Sequence, residues 1–205
     1  MTDNYEILEK FIVLEGLDGS GTTTQLNMIT KALESSGSKV FATCEPSPLP
    51  SGQLIRKVLE KEIDVEPETL ARLFSADRHE HLYNKKDGII KHLNENNIVI
   101  SDRYLFSSLA YQSLGCGFEL VQSLNKYPLP EYLIYLDLSP EVCRERMSSR
   151  DLEELFDGES IQMKIIDNYE RGIRLFEDSG MKTIRIDGTK PSEQICAEIL
   201  GVISR

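Results

Sequence analysis

The stretch Phe11-Ile12-Val13-Leu14-Glu15-Gly16-Leu17-Asp18-Gly19-Ser20-Gly21-Thr22-Thr23-Thr24 constrains the fold more than any other part of the chain. An apolar run leads into Gly16, Gly21 closes a short turn, and a helical pattern starts at Thr22. This strand, glycine turn and helix is the context that makes a G-x-x-x-x-G-K-[ST] match credible. Thr22 stands where that pattern has lysine, and Thr23 stands at its hydroxyl position. Gly16, Gly19 and Gly21 admit backbone conformations closed to other residues. Successive N–H groups then form an anion nest, reinforced by the positive end of the following helix. Neither device needs the lysine. Its loss removes a close charge partner, worth about 2–5 kcal/mol where buried and unreplaced. An ordinary glycine turn leading into a helix fits the same residues, so the remainder of the chain has to decide.

The 205 residues suit one domain with a full core, taken as 1–205. A net charge of −11 argues against broad binding to duplex nucleic acid, yet leaves room for a focused basic pocket. Cys44, Cys116, Cys143 and Cys196 match no zinc or disulfide pattern and are expected as free thiols. The polar, acidic first ten residues do not resemble a signal peptide, and no apolar run approaches membrane-spanning length. A cytoplasmic protein is expected.

Five short apolar runs, 11–15, 39–43, 97–101, 132–137 and 182–187, have the continuous hydrophobicity of strands covered on both faces. Helical patterns separate them at 22–35, 53–61, 68–96, 107–112 with 118–126, 140–149, 161–178 and 191–204. This alternation predicts a three-layer α/β fold around a parallel sheet. In such a sheet the ligand sits beyond the carboxyl ends of the strands.

Each strand end is therefore a candidate for chemistry. Asp18, inside the glycine loop, suits a sugar hydroxyl or a hydrated metal better than a phosphate, or else it caps the next helix. Cys44-Glu45-Pro46-Ser47-Pro48-Leu49-Pro50 is a stiff extended segment, either a pocket rim with Glu45 inward or a plain connection. Asp102 can hold magnesium through water opposite Thr23, and Arg103 can grip a phosphate with its fork of donors, unless the two merely pair at the surface. Ser108, Tyr111 and Gln112 share a helix face that lines a base or sugar pocket or is simply solvated. Phe74 and Arg78, four apart, offer an aromatic plate beside a guanidinium. His79 and His81 are read as solvated and given no role. Arg144, Arg146 and Arg150 precede the acidic stretch 151–159 and suggest a flap that closes over phosphates, with i, i+4 pairing as the plainer alternative.

Taken in order, Glu15-Gly16-Leu17-Asp18-Gly19-Ser20-Gly21, Glu45-Pro46, Phe74 with Arg78, Asp102-Arg103-Tyr104 and Ala110-Tyr111-Gln112 resemble the thymidylate kinase family of P-loop nucleoside-monophosphate kinases, over essentially the whole chain. The resemblance implies a five-stranded parallel sheet flanked by helices, a short lid at about 144–159, and a homodimer. It implies transfer of the ATP γ-phosphoryl to dTMP, giving dTDP and ADP, with magnesium held by Thr23 and Asp102. Gly16, Leu17, Asp18, Gly19, Ser20, Gly21, Thr22 and Thr23 would surround the ATP phosphates, with Arg144 and Arg146 from the lid. Asp18, Glu45, Arg56, Phe74, Arg78, Arg103, Ser108, Tyr111 and Gln112 would bind dTMP. Within that set Phe74 stacks on thymine, Arg78 donates to its O4, Asp18 lies near the 3′-hydroxyl and Tyr111 crowds a ribose 2′-hydroxyl. Asp18, Arg103 and Arg150 would be the catalytic groups.

Three departures stand out: Thr22 for the loop lysine, Cys44 where the family often has arginine, and Glu154-Leu155-Phe156-Asp157 in place of an Asp-Arg-x-Glu lid motif. Either Arg103, Arg144, Arg146 or Arg150 supplies the missing charge, or the enzyme is slow. The alternatives are a catalytically weakened nucleotide-binding protein and a kinase for another deoxynucleotide.

Overall fold

The computed structural model describes residues 5–148 and 159–204. Its strands are β1 Ile7–Gly16, β2 Val40–Cys44, β3 Ile98–Asp102, β4 Leu129–Asp137 and β5 Lys182–Asp187. The helices are α1 Thr22–Ser35, α2 Pro50–Leu59, α3 Pro67–Tyr83, α4 Ile89–Asn94, α5 Leu105–Tyr111, α6 Ser113–Cys116, α7 Phe118–Leu124, α8 Pro140–Ser148, α9 Glu159–Leu175 and α10 Ser192–Ile203.

The strands form one sheet in the order β2-β3-β1-β4-β5, and every neighbouring pair is parallel. α1 packs with α10, and α5 packs with α9. Phe11, Val13, Leu14, Val99, Ile100, Leu133 and Ile134 have no exposed surface, as expected of strands covered on both faces. From β1 the chain runs to the edge strand β2, returns to β3 between them, then crosses to β4 on the other side of β1. Strand order thus reverses at β1, which places a crevice beyond its carboxyl end. Register sets Leu14 opposite Asp102 and Asp102 opposite Cys44. The segments following β1, β2 and β3 therefore leave the sheet side by side.

Three expectations change. β1 begins at Ile7, because a bulge between Leu8 and Ile12 lets the strand run through the polar pair Glu9-Lys10. Lys10 adopts φ 62 and donates its N–H to Glu131 Oε2 at 2.8 Å. The extended segment after β2 stops at Leu49, since Pro50 opens α2, where a missing N–H costs nothing. The helix predicted over 68–96 is two helices. Asn84 Oδ1 accepts the N–H groups of Lys86 and Asp87, turning the chain, and a Cβ at Gly88 would lie 2.5 Å from Asn84 O. All four cysteines are free, with Cys143 and Cys196 buried. No helix among the described residues is long and apolar enough to cross a membrane.

Candidate active site

Residues 17–21 form the turn between β1 and α1. Gly19, at φ 82, lies in the left-handed region, and a Cβ there would meet the Cys143 carbonyl oxygen at 2.7 Å. Loop and α8 touch so closely that only glycine fits. Gly21 is the N-cap of α1 with no side-chain cap bond, so Asp18 does not cap this helix, and uncapped N–H groups remain at the loop. Thr22 is neutral and buried. Thr23 Oγ1 donates to Asp102 Oδ2 at 2.5 Å, while Asp102 Oδ1 is buried with no hydrogen-bond partner among the described residues. A hydroxyl and a carboxylate with a spare oxygen suit a magnesium ion held mostly by water and phosphate oxygens. No cage of three or more His, Cys, Asp or Glu side chains occurs among the described residues.

Arg103 stands beside this turn. Its φ of 72 is an uncommon backbone state for a side-chain-bearing residue, the kind of strain that gathers at functional sites. Nη2 donates to Asp18 Oδ1. Nη1 lies 2.9 Å from Gly16 O, 3.0 Å from Ser107 Oγ and 3.1 Å from the Tyr169 hydroxyl. Asp18 in turn donates its N–H to the Tyr111 hydroxyl at 3.1 Å. Asp102 and Arg103 thus serve separate partners and are not a surface pair.

Glu15 underlies this arrangement with no exposed surface. It accepts from the N–H groups of Tyr104 and Ser107 at 2.8 and 3.1 Å, from Ser107 Oγ at 2.6 Å and from the Tyr169 hydroxyl at 2.9 Å. Burial pushes its carboxyl up from 4.5 to about 7, against the Arg103 charge and these donors, which pull it down. Between those two values the native state keeps a proton that the unfolded chain releases. The stabilisation is whole below pH 4.5 and is lost as pH rises to about 7, a change of about 3 kcal/mol. Glu15→Gln removes the titration. Denaturant unfolding at about pH 5 and about pH 8 should show wild type losing about 2.5 kcal/mol more than the variant; equal losses would contradict the assignment.

The third part of the site is the buried face of α3. Phe74 and Arg78 are both buried there, Arg78 with 1% of its surface exposed. Arg78 Nη1 donates to Asn125 Oδ1, and Nη2 to Glu45 Oε2 at 2.6 Å and to Ser108 Oγ at 3.0 Å. Its guanidinium lies 5.2 Å from the Tyr104 ring centroid, and its Nε is buried with no hydrogen-bond partner among the described residues. Arg56 donates to Pro46 O and, at 3.5 Å, to Cys44 Sγ. Gln112 is buried and bonds its N–H to Ser108 O. Asp77 ties the loop after β2 to α3, accepting from Ser47 N, Ser47 Oγ and Ser51 Oγ at 2.7, 2.5 and 2.6 Å.

His81 overturns its reading as a solvated histidine. It is 1% exposed, with Nδ1 3.2 Å from Glu45 Oε1 and Nε2 2.7 Å from Thr43 Oγ1. Asp77, Asn125 and Tyr169 also escaped the sequence reading. His81 alone carried a usable signal there, falling seven positions after Phe74 and three after Arg78 on one helix stripe.

On α8, Arg146 donates to Ser20 O at 3.4 Å and to Gly188 O at 3.0 Å, whereas Arg144 is exposed. Residues 144–148 of the expected lid belong to this helix. Arg150 and the acidic stretch up to Gly158 lie outside the described residues.

A family model described as thymidylate kinase matches residues 14–199. A Methanococcus aeolicus protein named "Probable thymidylate kinase" is 40% identical over 197 residues, covering 94% of this chain and 95% of its own. "Thymidylate kinase" of Leptospira interrogans serogroup Icterohaemorrhagiae serovar copenhageni is 37% identical over 197 residues, covering 94% and 92%. "Thymidylate kinase" of Staphylococcus haemolyticus is 35% identical over 206 residues, covering 96% and 98%. The chain, with its glycine loop, its Asp102-Arg103 strand end and its buried Phe74–Arg78 face, belongs to the thymidylate kinase family.

Proposed function

We propose that the chain is a thymidylate kinase, transferring the γ-phosphoryl group of ATP to dTMP to give dTDP and ADP. The observation that carries this reading is the position of Arg103. Its guanidinium joins the glycine loop, through Gly16 O and Asp18, to α5, whose Ser108 bonds the Arg78 fork. A donor site and an acceptor site are thereby linked through a single strand end.

In this reading the loop N–H groups and the N-terminus of α1 hold the ATP phosphates. Thr23 and Asp102 would hold a magnesium ion, which supplies charge neutralisation on the transferring phosphates. Phe74 stacks on thymine, and Arg78 donates to its O4, which disfavours cytosine because an amino group would meet a donor. Glu45 and Ser108 fix Arg78, and Gln112 and Arg56 complete the pocket wall. Arg103 holds the dTMP phosphate, whose oxygen is the nucleophile; Asp18 lies near the 3′-hydroxyl and Tyr111 beneath the sugar. Arg144, Arg146 and Arg150 bring charge from the lid side. No covalent intermediate is needed, because positioning and fixed charge do the work. A cytoplasmic homodimer completes the proposal.

The test is a substrate panel in a coupled ADP-release assay. dTMP should be used in clear preference to dUMP, dCMP and thymidine. A preference for any of those three would overturn the thymine assignment, and binding of dTMP without binding of ATP by calorimetry would favour a nucleotide-binding protein that has lost catalysis.

A further inference from the structure

Neither His81 nor Thr43 has a part in the reaction above, yet both belong to a buried chain that ends on Arg78. His81 follows Arg78 by one turn of α3, so both side chains leave the helix on one face. Glu45 stands between them, with one oxygen 2.6 Å from Arg78 Nη2 and the other 3.2 Å from His81 Nδ1. Beyond the imidazole, Nε2 lies 2.7 Å from Thr43 Oγ1 at the end of β2. Thr43, Glu45, Arg78 and His81 are all buried.

The chemistry of this chain has a direction. A carboxylate only accepts, so the imidazole presents an Nδ1–H to Glu45. Nε2 then accepts from the Thr43 hydroxyl in a neutral ring, or donates to the same hydroxyl in a charged one. In both states the ring is held at its two nitrogens, and Glu45 is held at its two oxygens. A carboxylate so fixed offers Arg78 one defined acceptor. Arg78 is a long side chain with much rotamer freedom to lose, and its Nε–H has no partner among the described residues.

We infer that His81 is a positioning residue for recognition of the acceptor base: through Glu45 it locks the Arg78 guanidinium in the orientation that keeps its remaining donors available to a ligand carbonyl. The inference rests on the dTMP reading of the same pocket and deepens it.

Steady-state kinetics and melting temperatures of the full chain carrying His81→Leu, His81→Gln, His81→Asn or Thr43→Val decide the matter. Asparagine places a donor where Nδ1 stood and keeps the bond to Glu45; glutamine places it where Nε2 stood and keeps only Thr43. His81→Leu and His81→Gln are expected to raise KM for dTMP about tenfold, with kcat and KM for ATP moving less than about twofold. His81→Asn should recover most of that loss. Thr43→Val, which leaves the ring in place and removes its outer anchor, should raise KM for dTMP about threefold. If His81→Leu does not fold, the asparagine–glutamine contrast and Thr43→Val carry the same decision. An unmoved KM for dTMP, or joint losses of kcat, ATP affinity and melting temperature with no asparagine rescue, overturns the inference. No dTMP turnover in the wild-type protein overturns both it and the functional reading, whereas normal turnover with an unmoved KM overturns this inference alone.

Discussion

Replacing Arg103 by alanine is expected to lower kcat/KM for dTMP by about a thousandfold, the scale set by loss of a charge clamp on a transferring phosphate. Several facts raise the cost. Thr22 brings no charge to the loop, so the guanidinium beside Gly16 O and Asp18 carries more of the burden than it would next to a loop lysine. The side chain is held by Gly16 O, Ser107 Oγ and the Tyr169 hydroxyl, and so pays little entropy when it meets a ligand. Its backbone sits at φ 72, a strain that alanine also bears and that cannot account for a catalytic defect by itself. Lysine should recover less than a tenth of the loss, because an ammonium cannot reproduce the planar fork. Circular dichroism should show both variants folded. A drop smaller than about tenfold for alanine would remove Arg103 from the centre of the site.

The second large effect concerns stability. Arg78→Met should destabilise the fold by about 3–5 kcal/mol, since it strands a buried carboxylate. Among the described residues the Glu45 carboxylate would keep only His81, at 3.2 Å, as a partner. The doubly changed Arg78→Met/Glu45→Gln protein removes both charges and should be more stable than the single variant, by denaturant unfolding. Both proteins should lose preference for thymine over cytosine. Equal stability of the single and double variants would show that the Arg78–Glu45 pair carries no such coupling.

The strand, turn and helix around Gly16 were legible because glycine spacing and an abrupt change of hydrophobic period both mark them. Strand order was not, because the pairing of Leu14 with Asp102 depends on contacts between segments far apart in the chain. Arg103 shows why neighbours in sequence mislead. β3 ends at Asp102 and the chain turns at Arg103 with φ 72, so Asp102 meets Thr23 while Arg103 reaches Asp18. Glu15 could be seen as an acid in an apolar run, but its partner Tyr169 comes from α9, 154 positions later. The break after Tyr83 was masked by a helical period that resumes at Ile89, although Asn84 and Gly88 are ordinary turn residues. His81 lies on the buried stripe of α3, seven positions after Phe74, but that signal is outweighed in the sequence by how often paired histidines of this spacing are solvated.

The claim at the centre is that this chain phosphorylates dTMP with threonine in place of the loop lysine. Coupled ADP release by the purified protein, with ATP, magnesium and dTMP, tests it most directly. Turnover that depends on dTMP is the predicted result; ADP release no faster than in a reaction without enzyme would contradict it.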